Sequence, residues 1–274
     1  MSKRPLGQHF LHEKTAIQKI VDSAQITPQD YVLEIGPGRG AITGELCQRA
    51  ARVIAVELDK NLARQLKRYP NLEVVEGDIL RLDLAQLLGQ PAPNLPLAQR
   101  RWKVVANLPY YITTPIIEKL LLEGHAYFQS LVIMIQKEVA QRLQALACRQ
   151  SGALSYFVNY YARPQILFTV KPGSFSPPPQ VDSSVLALYP YAAPPVPAPA
   201  PALQRLTRAA FAMRRKTLAK SLQGLANSLK ADLPLALERA QISGQKRPEE
   251  LTLDDFSRLA LALEKTIAPK EGQE

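Results

Sequence analysis

The chain has 274 residues, with 34 basic and 24 acidic side chains, a net charge of +10 and 46% hydrophobic residues. Enough apolar surface to bury a sizeable core excludes intrinsic disorder, and the length suits one large domain or a domain with a small appendage. Cys47 and Cys148 are too few for a disulfide framework and no His/Cys cluster has zinc spacing, so no metal is expected; the charge alone suggests an anionic partner.

The opening residues Met1–Lys14 contain no long apolar run, so no signal peptide is expected. No stretch approaches the roughly 20 apolar residues of a membrane span, and a reducing, cytoplasmic location is expected. Tyr31–Ile35, Arg52–Glu57, Leu72–Val75, Lys103–Ala106 and Leu131–Ile135 are Val/Ile/Leu-rich runs that read as buried strands. Helical patterns at Ala41–Ala50, Asn61–Tyr69 and Pro115–Leu122 alternate with them. That alternation predicts an α/β fold with βαβ units and a mainly parallel sheet. Gly89–Arg101, with three prolines, reads as a surface loop, and Ile166–Val170 and Ser184–Tyr189 as late strands, a hairpin with an antiparallel edge.

Six prolines between Pro190 and Pro201 cannot continue a helix or central strand and favour an extended, semi-rigid linker. The expected division is therefore a first domain over 1–189, a linker over 190–201 and a second domain over 202–274. Leu218, Leu222, Leu225 and Leu229 recur at helical spacing, as do Phe256, Leu259, Ala260 and Leu263, so the second domain reads as small and all-α. From Pro201 to Lys230 there are seven basic residues and no acidic one; from Ala231 to Glu274 there are six basic and nine acidic. The positive excess lies just after the proline-rich stretch.

Val32–Gly40 reads as a strand entering a glycine-rich turn and then a helix. Gly36 and Gly38 let the backbone turn tightly and approach a ligand at the carboxyl edge of the sheet. Glu57 ends the next strand, where it can accept hydrogen bonds from both hydroxyls of a ribose. Asp78 ends the third and can accept from an exocyclic amine. A nicotinamide dinucleotide and S-adenosylmethionine both fit such a loop; the cationic sulfonium and ammonium of the latter tolerate nearby carboxylates such as Glu34.

Asn107-Leu-Pro-Tyr110 follows the fourth strand directly. The lone pair of an aromatic amine is delocalised into its ring. Accepting both amine hydrogens draws the nitrogen toward tetrahedral geometry and frees that lone pair for methylation. The Asn107 side-chain oxygen and the Leu108 carbonyl are two such acceptors, Pro109 fixes the backbone, and Tyr110 offers a face for a base to stack on. Asn94-Leu-Pro-Leu97 lacks the aromatic residue and is set aside.

Together these segments resemble the class I methyltransferase fold, and specifically the KsgA-type ribosomal RNA adenine dimethyltransferases. The matches run in order along the chain: Gly7–Leu11, Glu34–Gly38, Val56–Glu57, Gly77–Asp78, Asn107–Tyr110, Gln136–Arg142, Gly152–Ser155, Phe175–Asp182, Phe211–Leu218 and Arg247–Leu251. The resemblance removes the dinucleotide alternative and implies a Rossmann-like domain followed by a helical one that binds RNA or the ribosome. It implies S-adenosylmethionine as methyl donor. His9, Leu11, Gly36, Gly38, Glu57, Asp78 and Asn107 would bind it, with Glu57 at the ribose and Asp78 at the adenine. Asn107 would lie between donor and target amine, and Phe175 would pack on the flipped base opposite Tyr110. His9 stands where asparagine is common and Arg39 where an apolar residue is usual.

The implied substrate is a pair of adjacent adenines near the 3′ end of 16S rRNA in the immature small subunit, each dimethylated at N6 by a monomeric enzyme. Arg214, Arg215 and Lys216, expected on a helix, would meet RNA phosphates with salt-sensitive affinity. The large-subunit methyltransferase of macrolide resistance is disfavoured by Arg247–Leu251 and the Arg214–Leu218 segment. A pure assembly factor is disfavoured by intact Gly36, Glu57, Asp78 and Asn107. A DNA adenine methyltransferase usually has proline where Leu108 stands.

Overall fold

The structure, a computed structural model, describes residues 8–66, 68–89, 102–213 and 215–267. The expected loop over Gly89–Arg101 and the set-aside Asn94–Leu97 therefore lie, apart from Gly89, outside the described residues, as do Gly7 and Arg214.

In chain order the first part contains β1 (Phe10–Leu11), α1 (Lys14–Ser23), β2 (Tyr31–Ile35), α2 (Thr43–Arg49), β3 (Arg52–Glu57) and α3 (Lys60–Gln65). It continues with β4 (Leu72–Glu76), α4 (Leu84–Leu88), β5 (Trp102–Asn107), α5 (Thr113–Leu122), β6 (Phe128–Gln136) and α6 (Lys137–Gln144). Then come α7 (Ala153–Tyr161), β7 (Ala162–Val170), β8 (Phe175–Ser176) and β9 (Ser183–Pro190). Seven strands form one sheet in the order β4-β3-β2-β5-β6-β9-β7. From β2 to β6 every pairing is parallel, and β9 runs antiparallel to both β6 and β7. Val32, Leu33, Val53, Ile54, Val104 and Val105 are wholly buried, as strands covered on both faces require. All five early strands expected from the sequence are present. So is the antiparallel edge: the edge strand β7 pairs antiparallel with β9, which sits between it and β6 and is the one strand reversed against the parallel set. Pattern reading sees that both are apolar, but their spatial order depends on which partner each pairs with.

The chain departs from β2 to β3 and β4 on one side, then crosses to β5 on the other. That reversal opens a crevice above the carboxyl ends of β2 and β5, where open α/β sheets bind ligands. A separate ribbon pairs β1 with β8, Leu11 opposite Phe175. It ties the N-terminal segment to residues far along the chain, helped by a Ser174 hydroxyl that donates to Glu13 and by His12 N–H to Ser174 O at 3.0 Å.

The chain forms two units, Met1–Ala140 with Ala162–Ala192 and Gln141–Tyr161 with Ala193–Glu274. The sequence pattern places 141–161 in the first domain; Tyr156, Tyr160 and Tyr161 of α7 instead join the core of the second. There Tyr156 meets Phe256 edge-on at 4.7 Å, beside α8 (Ala200–Ala212), α9 (Leu218–Leu229), α10 (Leu233–Ala240) and α11 (Leu253–Glu264). Part of the expected linker is packed as well. Val196 and Ala198 are buried in this core, and the backbone of Ala198 is held by Ser257 Oγ at 3.1 Å and the Tyr160 hydroxyl at 3.1 Å. Buried backbone outside helix and sheet needs other partners, and these two side chains supply them. No described helix is long and apolar enough to cross a membrane.

Candidate active site

β2 ends at Ile35, and the chain turns through Gly36 at φ +66° and Gly38 at φ +57°, backbone conformations that a side chain disfavours. Close approach adds a second reason. A Cβ on Gly38 would lie 3.2 Å from the Phe10 ring. The Arg39 guanidinium lies 4.5 Å from the centre of that ring, so the unusual Arg39 covers Phe10 by a cation–π contact.

Glu57, buried at the end of β3, accepts from Gly38 N–H on Oε2 at 2.9 Å and from Asp59 N–H on Oε1 at 2.9 Å. Asp78, after β4, accepts from Leu80 N–H at 3.0 Å and lies 3.7 Å from the exposed Arg81 Nε.

After β5, Asn107 donates from Nδ2 to the His9 carbonyl at 3.3 Å, which leaves Oδ1 as an acceptor. Leu108 N–H is taken by Met134 O at 3.1 Å. Pro109, at φ −60° and ψ 131°, sets the chain into a single turn over Tyr110–Ile112, and its carbonyl receives the Thr113 hydroxyl at 3.0 Å. Tyr110 shares a hydrogen bond with the buried Ser183 hydroxyl at 2.6 Å, and burial pushes its phenol pKa above the ordinary value. The His9 ring lies 5.8 Å from the Tyr110 ring, and its Nδ1–H donates to Pro177 O at 2.7 Å.

These segments converge on one cavity of about 350 Å³, lined among others by His9, Leu11, Glu34, Gly36, Gly38, Glu57, Asp78 and Asn107–Tyr110. Every residue expected to bind the donor is thus brought to one place. Phe175 is placed elsewhere: it is 3% exposed, packs in the core with Leu11 and Val185, and is not on the cavity wall. Its pairing opposite Leu11 in the ribbon turns it inward. Arg215 and Lys216 are exposed, but in the turn between α8 and α9 rather than on the expected helix. α8 stops because Met213 adopts a non-helical φ −124°, ψ 67°, and Thr217 is the extended residue that starts α9.

Sequence reading missed Ser183, a serine in an unremarkable strand whose partner only pairing with β6 could place. It also missed Tyr111, 57% exposed beside the cavity, and did not see that Glu34 is 2% exposed with Oε2 lacking any hydrogen-bond partner among the described residues. Burial pushes the Glu34 carboxyl pKa up to about 8, with the charge of Glu57 adding to the shift. The Thr43 hydroxyl, itself short of a well-formed hydrogen bond, opposes it.

Residues 1–265 match the family model described as ribosomal RNA adenine dimethylase. The chain belongs to that family. Proteins named ribosomal RNA small subunit methyltransferase A from Alkaliphilus metalliredigens and Lachnoclostridium phytofermentans are 43% and 42% identical to it, over 93% and 94% of this chain and 90% of each relative. A dimethyladenosine transferase from Plasmodium falciparum superposes with a TM-score of 0.74 at 27% identity, covering 94% of this chain and 98% of that one. The fold is shared with the 23S rRNA methyltransferase ErmE, at a TM-score of 0.68 and 24% identity over 93% of this chain and 99% of that one. The enzyme is therefore a ribosomal RNA adenine dimethyltransferase with a Rossmann-like α/β domain and a C-terminal group of helices.

Proposed function

We propose that this enzyme transfers methyl groups from S-adenosylmethionine to N6 of two adjacent adenines near the 3′ end of 16S rRNA, within the immature small subunit in the cytoplasm. The observation that carries the reading is the Asn107 amide, anchored through Nδ2 to His9 O on the cavity wall, so that Oδ1 is kept as an acceptor. The names of the relatives support the small subunit as target.

The cavity suits the donor chemically. Two glycines at positive φ bring backbone close, Glu57 and Asp78 offer carboxylates for hydroxyls and an amine, and the buried Glu34 carboxyl lacks a partner on one oxygen. When bound, the donor supplies an electrophilic methyl group. Asn107 Oδ1 and the Leu108 carbonyl take the two hydrogens of the target amine and so localise its lone pair. Tyr110, held by Ser183, gives the flipped base a face to stack on, worth about 1–3 kcal/mol. Phe175 acts from beneath, fixing Leu11 rather than touching the base. Arg215 and Lys216 meet phosphate.

The test is purified enzyme with S-adenosylmethionine and small subunits from cells lacking the enzyme, followed by mass spectrometry of digested RNA. Dimethyladenosine at two neighbouring positions is expected; its absence, with the donor seen to bind, overturns the reading.

A further inference from the structure

Glu34 has a role that the sequence pattern did not assign. It sits near the end of β2, between Ala55 of β3 and Val105 of β5 in the sheet, and borders the cavity. A carboxylate this deeply buried, with one oxygen unpartnered, is unfavourable without a counter-charge. Among the described residues, the groups about it do not supply one. Glu57 from β3 adds negative charge, and on α2 the Cys47 thiol is itself pushed up to about 11 by burial and by Glu34. On β5, Lys103 Nζ is taken by Asp30 at 3.0 Å and Gln25 O at 2.6 Å. His9 and Arg39 line the same cavity but are engaged otherwise, His9 Nδ1 with Pro177 O at 2.7 Å and Arg39 over the Phe10 ring, and Asp78 adds a further acid to the lining.

We infer that Glu34 holds a proton in the free enzyme and releases it to solvent when the cationic part of the methyl donor enters the cavity. This rests on the donor reading above. The O–H bond of the carboxylic acid breaks, the proton passes to buffer, and the carboxylate left behind is neutralised by the arriving cation. Donor affinity is then linked to pH, and the site favours a cationic ligand over a neutral one of the same shape. The donor carries two cations, an ammonium and a sulfonium. The product S-adenosylhomocysteine keeps only the ammonium, so comparing the two tells which one Glu34 answers.

Isothermal titration of the full-length enzyme with S-adenosylmethionine at pH 6.5, in phosphate and in Tris, reads the proton count from the dependence of heat on buffer. At that pH the ligand ammonium remains charged. Release of nearly one proton is expected, and Glu34→Gln should bind the donor with that release abolished. Affinity of the unaltered enzyme should tighten about tenfold from pH 6.0 to 7.0. Release with both ligands assigns the ammonium, and release with the donor alone assigns the sulfonium; either supports the inference. Should the variant fail to fold, infrared difference spectra of the unaltered enzyme decide. The carbonyl band of a protonated carboxylic acid should be lost on binding. Donor binding with buffer-independent heat, or with that band retained, overturns the linkage and leaves the donor site standing. No binding at any pH overturns both.

Discussion

The amide of Gly38 donates to Glu57 Oε2 at 2.9 Å, so the carboxylate placed to receive a ribose also holds the glycine turn after β2. Binding group and scaffold are one side chain. Its other oxygen takes Asp59 N–H, the residue that caps α3.

Glu57→Ala should therefore fail in two measurements. Two partly buried N–H donors lose their acceptor, at a cost of up to about 1–3 kcal/mol each where water cannot replace it. Urea unfolding without ligand should show that loss, and calorimetry should show donor affinity lowered at least tenfold. A variant as stable as the parent would refute the scaffold role.

Asn107→Ala removes an acceptor that matters most as the amine becomes tetrahedral. Loss of one such group typically lowers kcat by about 10²–10³. Single-turnover rates on small subunits should fall by that order while the donor still binds; unchanged turnover would sink the amine-acceptor assignment.

Gly38→Ala meets both the positive φ and the Phe10 ring. The backbone contribution is about 1–2 kcal/mol. Adding Phe10→Ala should return the steric part but not the backbone part, so the double variant should lie between parent and single variant in thermal unfolding. A double variant no better than Gly38→Ala would mean that Phe10 is not the obstacle.

The Glu34 carboxyl makes stability of the free enzyme depend on pH with a definite sign. Folded, it keeps its proton up to about pH 8; unfolded, it releases it near 4.5. The folded state thus binds the extra proton. This contribution is fully present below pH 4.5 and is lost as pH rises through about 8. Urea midpoints at pH 5.5, 7.0 and 8.5 should fall with pH in the parent and less steeply in Glu34→Gln. Equal slopes would remove Glu34 from the account.

Arg215→Ala and Lys216→Ala should weaken binding to small subunits without altering donor affinity. Each should lower the slope of log affinity against log salt by about 1. An unchanged slope would mean that neither side chain meets a phosphate.

Much of the site was legible because its parts are local. The Gly36–Gly38 turn, Glu57, Asp78 and Asn107–Tyr110 each end a strand, and parallel strands with crossovers carry their ends to one edge whatever the details of packing. Arg215 and Lys216 were found as charges but given the wrong local structure. Nothing in three consecutive cations marks where α8 must stop for α9 to begin.

By itself the sequence determined the class of fold, the chemistry of the strand ends and the family. Hydrophobic period, glycine placement and motif order are properties of neighbouring residues. Only the tertiary structure decided that β9 runs reversed inside the sheet, that Phe175 is buried behind Leu11, that Tyr110 leans on Ser183, and that residues 141–161 join the C-terminal helices. It alone showed the Glu34 carboxyl buried with an oxygen unpartnered. Each depends on a partner many residues away, and the free energy of burying a group is set by what the folded chain places against it.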